Sequence, residues 1–134
     1  MRGAETGVLG TRARWFVTDR GGPTGSSTPY GGLNLGARVG DDPEAVIANR
    51  AALAGEVGVG LGNLRFMEQV HGCAVADVDE TTGEPRADGM VTTRTDVALA
   101  VLVADCTPVM LADPEAGVVG VAHAGRQGMV KGVV

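Results

Sequence analysis

Three side chains in this sequence carry the donor types that hold a divalent metal ion: His71 in "EQVHG", Cys106 in "ADCTP" and His123 in "VAHAG". The chain has only two histidines and two cysteines, so imidazole and thiolate chemistry is confined to few positions. Three protein ligands would leave a fourth place for water or substrate, the arrangement of a catalytic zinc and not of a closed structural one. No CxxC or HxxxH spacing joins the three, and the case therefore rests on how the strands that carry them pair.

The segments "DCTPVMLA" and "VVGVAHAG" flank the turn "DPEAG" and read as a hairpin. With Asp113 to Ala116 as a four-residue loop, Ala112 faces Gly117, and the antiparallel register sets Cys106 directly opposite His123. Pro108 has no amide to donate, which places it at a non-hydrogen-bonded position toward that partner. Cys106, two residues away, shares this closer pair type, with Cβ atoms about 4.5–5.5 Å apart. A thiolate and an imidazole so placed can share one ion, with bonds of about 2.3 Å and 2.0–2.1 Å. A packed, metal-free Cys–His pair satisfies the same register, and a bulge at Asp105 or Pro108 would break it. Asp105, beside Cys106, and Asp88 in "ADG" are candidates for acid, base or ligand-orienting roles; Asp88 also reads as a plain turn residue. Cys73 reads as a small core residue.

The elements that must position these groups are a mixed α/β set. "ARWFVT" at 13–18 reads as a strand, and the glycine-rich stretch 19–36 has no helical period and a length usual for a functional or mobile loop. A helix starts at Asp42 as N-cap, with Pro43 and Glu44 in its first turn, and stops at Gly58. Its apolar stripe is Val46, Ile47, Leu53 and Val57, with Arg50 in the middle. That guanidinium must reach the rim or meet a buried anion. "GVGLGN" is a loop and not a dinucleotide fingerprint, because Asn63 stands where glycine is needed and a helix precedes it. "LRFMEQVHG" at 64–72 reads as a strand closed by His71, "ADGMVTT" as a turn into a short strand, and "VALAVLVA" at 97–104 as a strand apolar on both faces. After His123, "AGRQG" opens a helix whose glycine N–H groups suit a phosphate, with Arg50 able to join.

Composition excludes several classes. A net charge of -5, no Lys/Arg block, and Trp15, Phe16, Tyr30 and Phe66 as the only aromatic platforms leave no nucleic-acid footprint. The longest apolar run, Val97 to Ala104, is far short of the roughly 20 residues that span a bilayer, and the N-terminus has no signal-peptide core. A soluble, cytoplasmic protein is the default, where cysteines serve as thiols, metal ligands or nucleophiles and not as disulfides. At 134 residues the chain forms at most one domain. Serine-hydrolase elbows and Walker loops are absent from the sequence.

The segments "GGLNLGARVGDDPEAVIANRAAL", "MEQVHG", "ADGMVT", "VLVADCTPVML" and "VVGVAHAGRQG" occur in the order and spacing of the laccase-domain, or YfiH-type purine nucleoside phosphorylase, family, formerly described as multicopper polyphenol oxidase. Residues 13 to 134 resemble it. The resemblance implies a mixed α/β fold of two mixed β-sheets between helical layers, with this chain as the N-terminal portion of a single domain whose C-terminal half is absent. It implies zinc held by His71, Cys106 and His123 as catalytic residues, copper being the less favoured ion. Arg50 matches a basic residue near the phosphate, Asn34 of "LNLG" belongs to the pocket wall, and Arg126 occupies the aromatic position of the family's "HAGWRG". The implied activity is phosphorolysis of adenosine, inosine, guanosine and methylthioadenosine, with some adenosine deamination. A non-catalytic metal-binding or peptidoglycan-editing role is the alternative, and copper-dependent phenol oxidation a weaker one.

Overall fold

The computed structural model describes residues 4–21 and 25–134. The fold is mixed α/β, built from three small sheets and two helices among these residues, where the resemblance implied two sheets. Residues 22–24 of the glycine-rich stretch lie outside the described part.

Strands β1 (Glu5–Leu9) and β2 (Ala13–Val17) form an antiparallel hairpin. Gly7 lies under the Trp15 ring, where a Cβ would stand 2.6 Å from Trp15 Cε2. Helix α1 (Pro43–Val57) has the ends its sequence predicts: the Asp42 carboxylate accepts from Glu44 N–H, and Gly58 closes the helix at φ 87°. Its buried face is rotated from the expected stripe. Ala45, Val46, Asn49, Leu53 and Ala54 are buried, whereas Ile47 is 57% exposed. The reason is polar. The Asn49 amide accepts from Gly25 N–H and donates to Ser26 Oγ and to the Asn34 carbonyl, so the helix turns this residue inward to organise the loop before it.

Strands β3 (Leu64–Arg65) and β6 (Ala98–Leu99) pair in parallel for two residues each. The expected strands 64–72 and 97–104 are thus much shorter as hydrogen-bonded ladders. Beyond the ladder the Gln69 side chain takes over, donating to the Leu102 carbonyl at 2.7 Å and accepting from Leu102 N–H at 2.8 Å. The alternation in "VALAVLVA" still has its structural meaning. Ala98, Ala100 and Leu102 pack on a core of Leu53, Ala54, Leu64 and Phe66, while Leu99 and Val101 pack on another formed by Met67, Val78, Met90 and Val97. The segment is the partition between two cores. Fully buried members such as Met90 and Val78 each contribute about 1.5–3 kcal/mol by leaving water.

The third sheet carries the chemistry. Strands β4 (Val75–Asp77), β5 (Gly89–Thr92), β7 (Thr107–Asp113) and β8 (Val118–Ala124) lie in the order β4-β5-β8-β7, with β4 and β5 parallel and the other pairs antiparallel. Helix α2 (Arg126–Lys131) follows β8, and Val133 beyond it packs on Ala122, Ala124 and Val109. No helix among the described residues is long and apolar enough to cross a membrane.

Candidate metal centre

The centre begins with β8, which lies between β5 and β7 and so carries His123 into the middle of the sheet. The hairpin turn differs from expectation. Pro114 to Gly117 form the loop, with Gly117 at φ 68° and the Asp113 carboxylate accepting from Glu115 and Ala116 N–H. Pro108 therefore faces His123, and Cys106 lies just before β7, opposite the Gly125 side. The register is shifted by two residues, which preserves the face because side chains alternate with period two. Cys106 still reaches the imidazole, as a diagonal and not a direct neighbour. The backbone of His123 turns away from Pro108, its N–H donating to the Asp88 carbonyl at 2.7 Å.

His71 stands on a turn and not at a strand end, in the left-handed region at φ 59°. It is exposed, whereas His123 is 4% exposed and Cys106 is half-buried. The two imidazoles meet edge to face with centroids 4.9 Å apart. One ligand atom from each of His71, Cys106 and His123 lies within 4.8 Å of the others. One sulfur and two imidazole nitrogens are a donor set that zinc takes. Gly125 keeps the space between them clear, since a Cβ there would stand 2.8 Å from Cys106 Sγ and 3.6 Å from His71 Cδ2.

Asp88 is the residue the sequence reading undervalued. It is no mere turn residue: fully buried, it lies 2.8 Å from His123 Nδ1 and accepts from the N–H groups of Val70, His71 and Gly72. Burial pushes its carboxyl up, and the hydrogen bonds from His123, Gly72, Val70 and His71 outweigh that and hold it below the ordinary aspartate value. A carboxylate at Nδ1 accepts a proton held there, the arrangement that leaves Nε2 as the ring nitrogen open to an ion. Cys73 is exposed and not a core residue, because it precedes β4 at the sheet edge. Asp105 is also exposed.

The remaining expected site residues fall elsewhere or differ in engagement. Arg126 is exposed at the start of α2, directly after Gly125. Asn34 folds its amide onto its own loop, donating to Asp41 Oδ2 and accepting from Gly36 N–H. Arg50 meets an anion from within the chain: it pairs with Glu84, donates Nε–H to the Leu35 carbonyl and stacks 3.8 Å over the Phe66 ring. Arg38 binds the other Glu84 oxygen at 2.7 Å. Both guanidiniums line an open cleft with Met67, Gln69 and Leu102.

The Glu84 link predicts a pH dependence. Burial pushes this carboxyl up, and the hydrogen bonds and charges of Arg50 and Arg38 outweigh it and hold it below the ordinary value. A group depressed in the folded state contributes stability that is present above its unfolded pKa, about 4.3, and is lost as pH falls through the folded value. Melting temperatures of Glu84→Gln are expected to fall less steeply than wild type below about pH 4; parallel acid limbs would contradict the link.

A family described as multi-copper polyphenol oxidoreductase laccase matches residues 14–134. The chain is 56% identical over 126 residues to a Streptomyces griseus protein named purine nucleoside phosphorylase ORF3, covering 91% of this chain and 51% of that one. It is 53% identical to purine nucleoside phosphorylase SCO2081 of Streptomyces coelicolor, with the same shares covered. Among solved structures, protein NMB0706 of Neisseria meningitidis superposes with a TM-score of 0.87 at 36% identity, over 98% of this chain and 54% of that one. YlmD from Geobacillus stearothermophilus gives 0.81 at 34% identity, over 98% and 49%. The chain spans about half the length of the curated relatives it matches.

Proposed function

The chain belongs to the multi-copper polyphenol oxidoreductase laccase family, and on that premise we propose that it is the N-terminal portion of a zinc-dependent purine nucleoside phosphorylase. Its substrates are adenosine, inosine, guanosine and methylthioadenosine with phosphate, and adenosine deamination is a side activity. The observation that carries this reading is the convergence of His71, Cys106 and His123 within 4.8 Å, in a chain whose relatives are named purine nucleoside phosphorylases. Copper in the family's name does not redirect it, because one thiolate and two imidazoles make a single centre and not several.

Phosphorolysis joins a phosphate oxygen to the ribose C1′ and breaks the bond from C1′ to the purine nitrogen. The electron pair leaves with the base, which takes a proton. Zinc held by His71, Cys106 and His123 would supply Lewis acidity at this place. The chain's own residues do the rest by positioning. Arg126, exposed and one residue from Gly125, is the cation nearest in sequence to His123 and holds the dianion. Arg50, which the resemblance places near the phosphate, is held by Glu84 at the wall of its own cleft, while Asn34 keeps the loop before α1 in shape through Asp41 and Gly36.

The test is inosine turnover by the zinc-loaded full chain with and without phosphate, following hypoxanthine and ribose 1-phosphate. Release of both products only with phosphate is expected. Hypoxanthine with free ribose would mean hydrolysis, and tight zinc with no turnover of any of the four nucleosides would mean a non-catalytic metal-binding protein.

A further inference from the structure

We propose that Asp88 is the positioning residue that sets the metal affinity of the centre, by holding both histidine ligands in place at once. The proposal rests on the reading of His71, Cys106 and His123 as metal ligands. A carboxylate offers about four acceptor sites on its two oxygens, and Asp88 fills all of them. Oδ1 takes the N–H groups of Val70 at 3.0 Å and Gly72 at 2.8 Å, and Oδ2 takes His71 N–H at 2.9 Å and His123 Nδ1 at 2.8 Å. The side chain is fully buried, so water supplies none of these bonds.

Each bond does something specific to a ligand. On one side, three successive N–H groups converge on the carboxylate because His71 adopts φ 59°. That conformation costs an L-residue about 1–2 kcal/mol, and concave runs of N–H groups of this kind are stabilised by an anion at their centre. Asp88 is that anion, and the turn it stabilises carries the His71 imidazole to the edge of His123. On the other side, an acceptor at Nδ1 selects the tautomer that frees Nε2. Asp88 is also tied to the frame, because its own carbonyl accepts from His123 N–H and its neighbour Gly89 opens β5 beside Ala122 of β8. The ordering of both histidines thus precedes the ion, and the ion meets a formed pair of ligands.

Asparagine at this position keeps the size but turns one oxygen into a donor: with its NH2 at the Oδ2 place both His71 N–H and His123 Nδ1 lose their partner, and with it at the Oδ1 place Val70 and Gly72 N–H do, which loosens the turn that carries His71. Asp88→Asn is expected to lower zinc affinity roughly 10–100-fold, measured with zinc alone against a chromogenic chelator, while the far-ultraviolet circular dichroism of the metal-free chain is unchanged. Cobalt substituted for zinc gives a readout that a mere loss of stability leaves alone: its visible spectrum is expected to shift in Asp88→Asn. A folded variant with wild-type zinc affinity and cobalt spectrum overturns the proposal. Wild type that binds no zinc overturns the metal reading itself, a different result. For a variant that does not fold, the imidazole nitrogen resonances of metal-free wild type decide: His123 protonated at Nδ1 supports the role of Asp88, and protonation at Nε2 overturns it.

Discussion

Replacing His123 by alanine is expected to abolish phosphate-dependent purine release and to lower the stability of the metal-free chain by about 3 kcal/mol. The first effect follows from the proposed role of His123 as a metal donor, the second from what is left behind. His123 is 4% exposed and its ring is the only side chain hydrogen-bonded to the Asp88 carboxylate among the described residues. Without it a fully buried charge keeps three backbone donors and faces a cavity, and removing one partner of a buried pair typically costs about 3–5 kcal/mol; the surviving donors place the expected loss at the lower end. Cys106→Ala separates the two effects. The thiol is half-buried with no such dependent charge, so this variant should lose zinc and turnover while its metal-free melting curve stays close to wild type. Measuring turnover, zinc content and urea unfolding on both variants checks the argument, and turnover retained in His123→Ala refutes the assignment of the centre.

Gly125→Ala is the second large expected effect, and it needs no change of charge. The glycine has φ -77°, open to any residue, so the penalty is steric alone. An added Cβ would stand 2.8 Å from Cys106 Sγ, closer than nonbonded atoms approach, and the thiol must move out of the space it shares with the imidazoles. Overpacking of this kind costs about 1–3 kcal/mol, and displacement of a ligand weakens zinc roughly tenfold or more, as even the loss of a ligand's supporting contact does. Gly62→Ala is the control, since an added Cβ there meets nothing within 4 Å, and its stability should stay within about 0.5 kcal/mol of wild type. Equal zinc affinity in Gly125→Ala and wild type would show that Cys106 is not held where it binds.

The sequence revealed those features that are decided within a few residues. Helix α1 starts at Asp42 and ends at Gly58 because cap chemistry is local. The two faces of "VALAVLVA" go to two cores because alternation is local too. His71, Cys106 and His123 were legible as a group partly through a hairpin whose register was misjudged by two residues, an error that spared the face by parity. Asp88 was not legible as an anchor. Its partners are the turn at 70–72 and a strand some 35 positions later, and no pattern in "ADG" announces that β5 will lie beside β8. The Arg50 stripe position left the rim and a buried anion equally open, and nothing near it in sequence singled out Glu84. Asn49, a polar residue on a helix face, became an inward hub for the same reason: its partners lie in the loop at 25–34.

The three proposed ligands differ in depth, and this has a consequence for access. His123 is locked into the central strand of a four-stranded sheet, Cys106 stands at the entry to an edge strand, and His71 is exposed on a turn. Opening free energies are lowest at exposed turns and highest in central strands. Solvent and an incoming ion therefore meet the centre on the His71 side, with the sheet intact; because the three amides at 70–72 are bound to Asp88, access there rests on the exposed imidazole and not on opening of the turn.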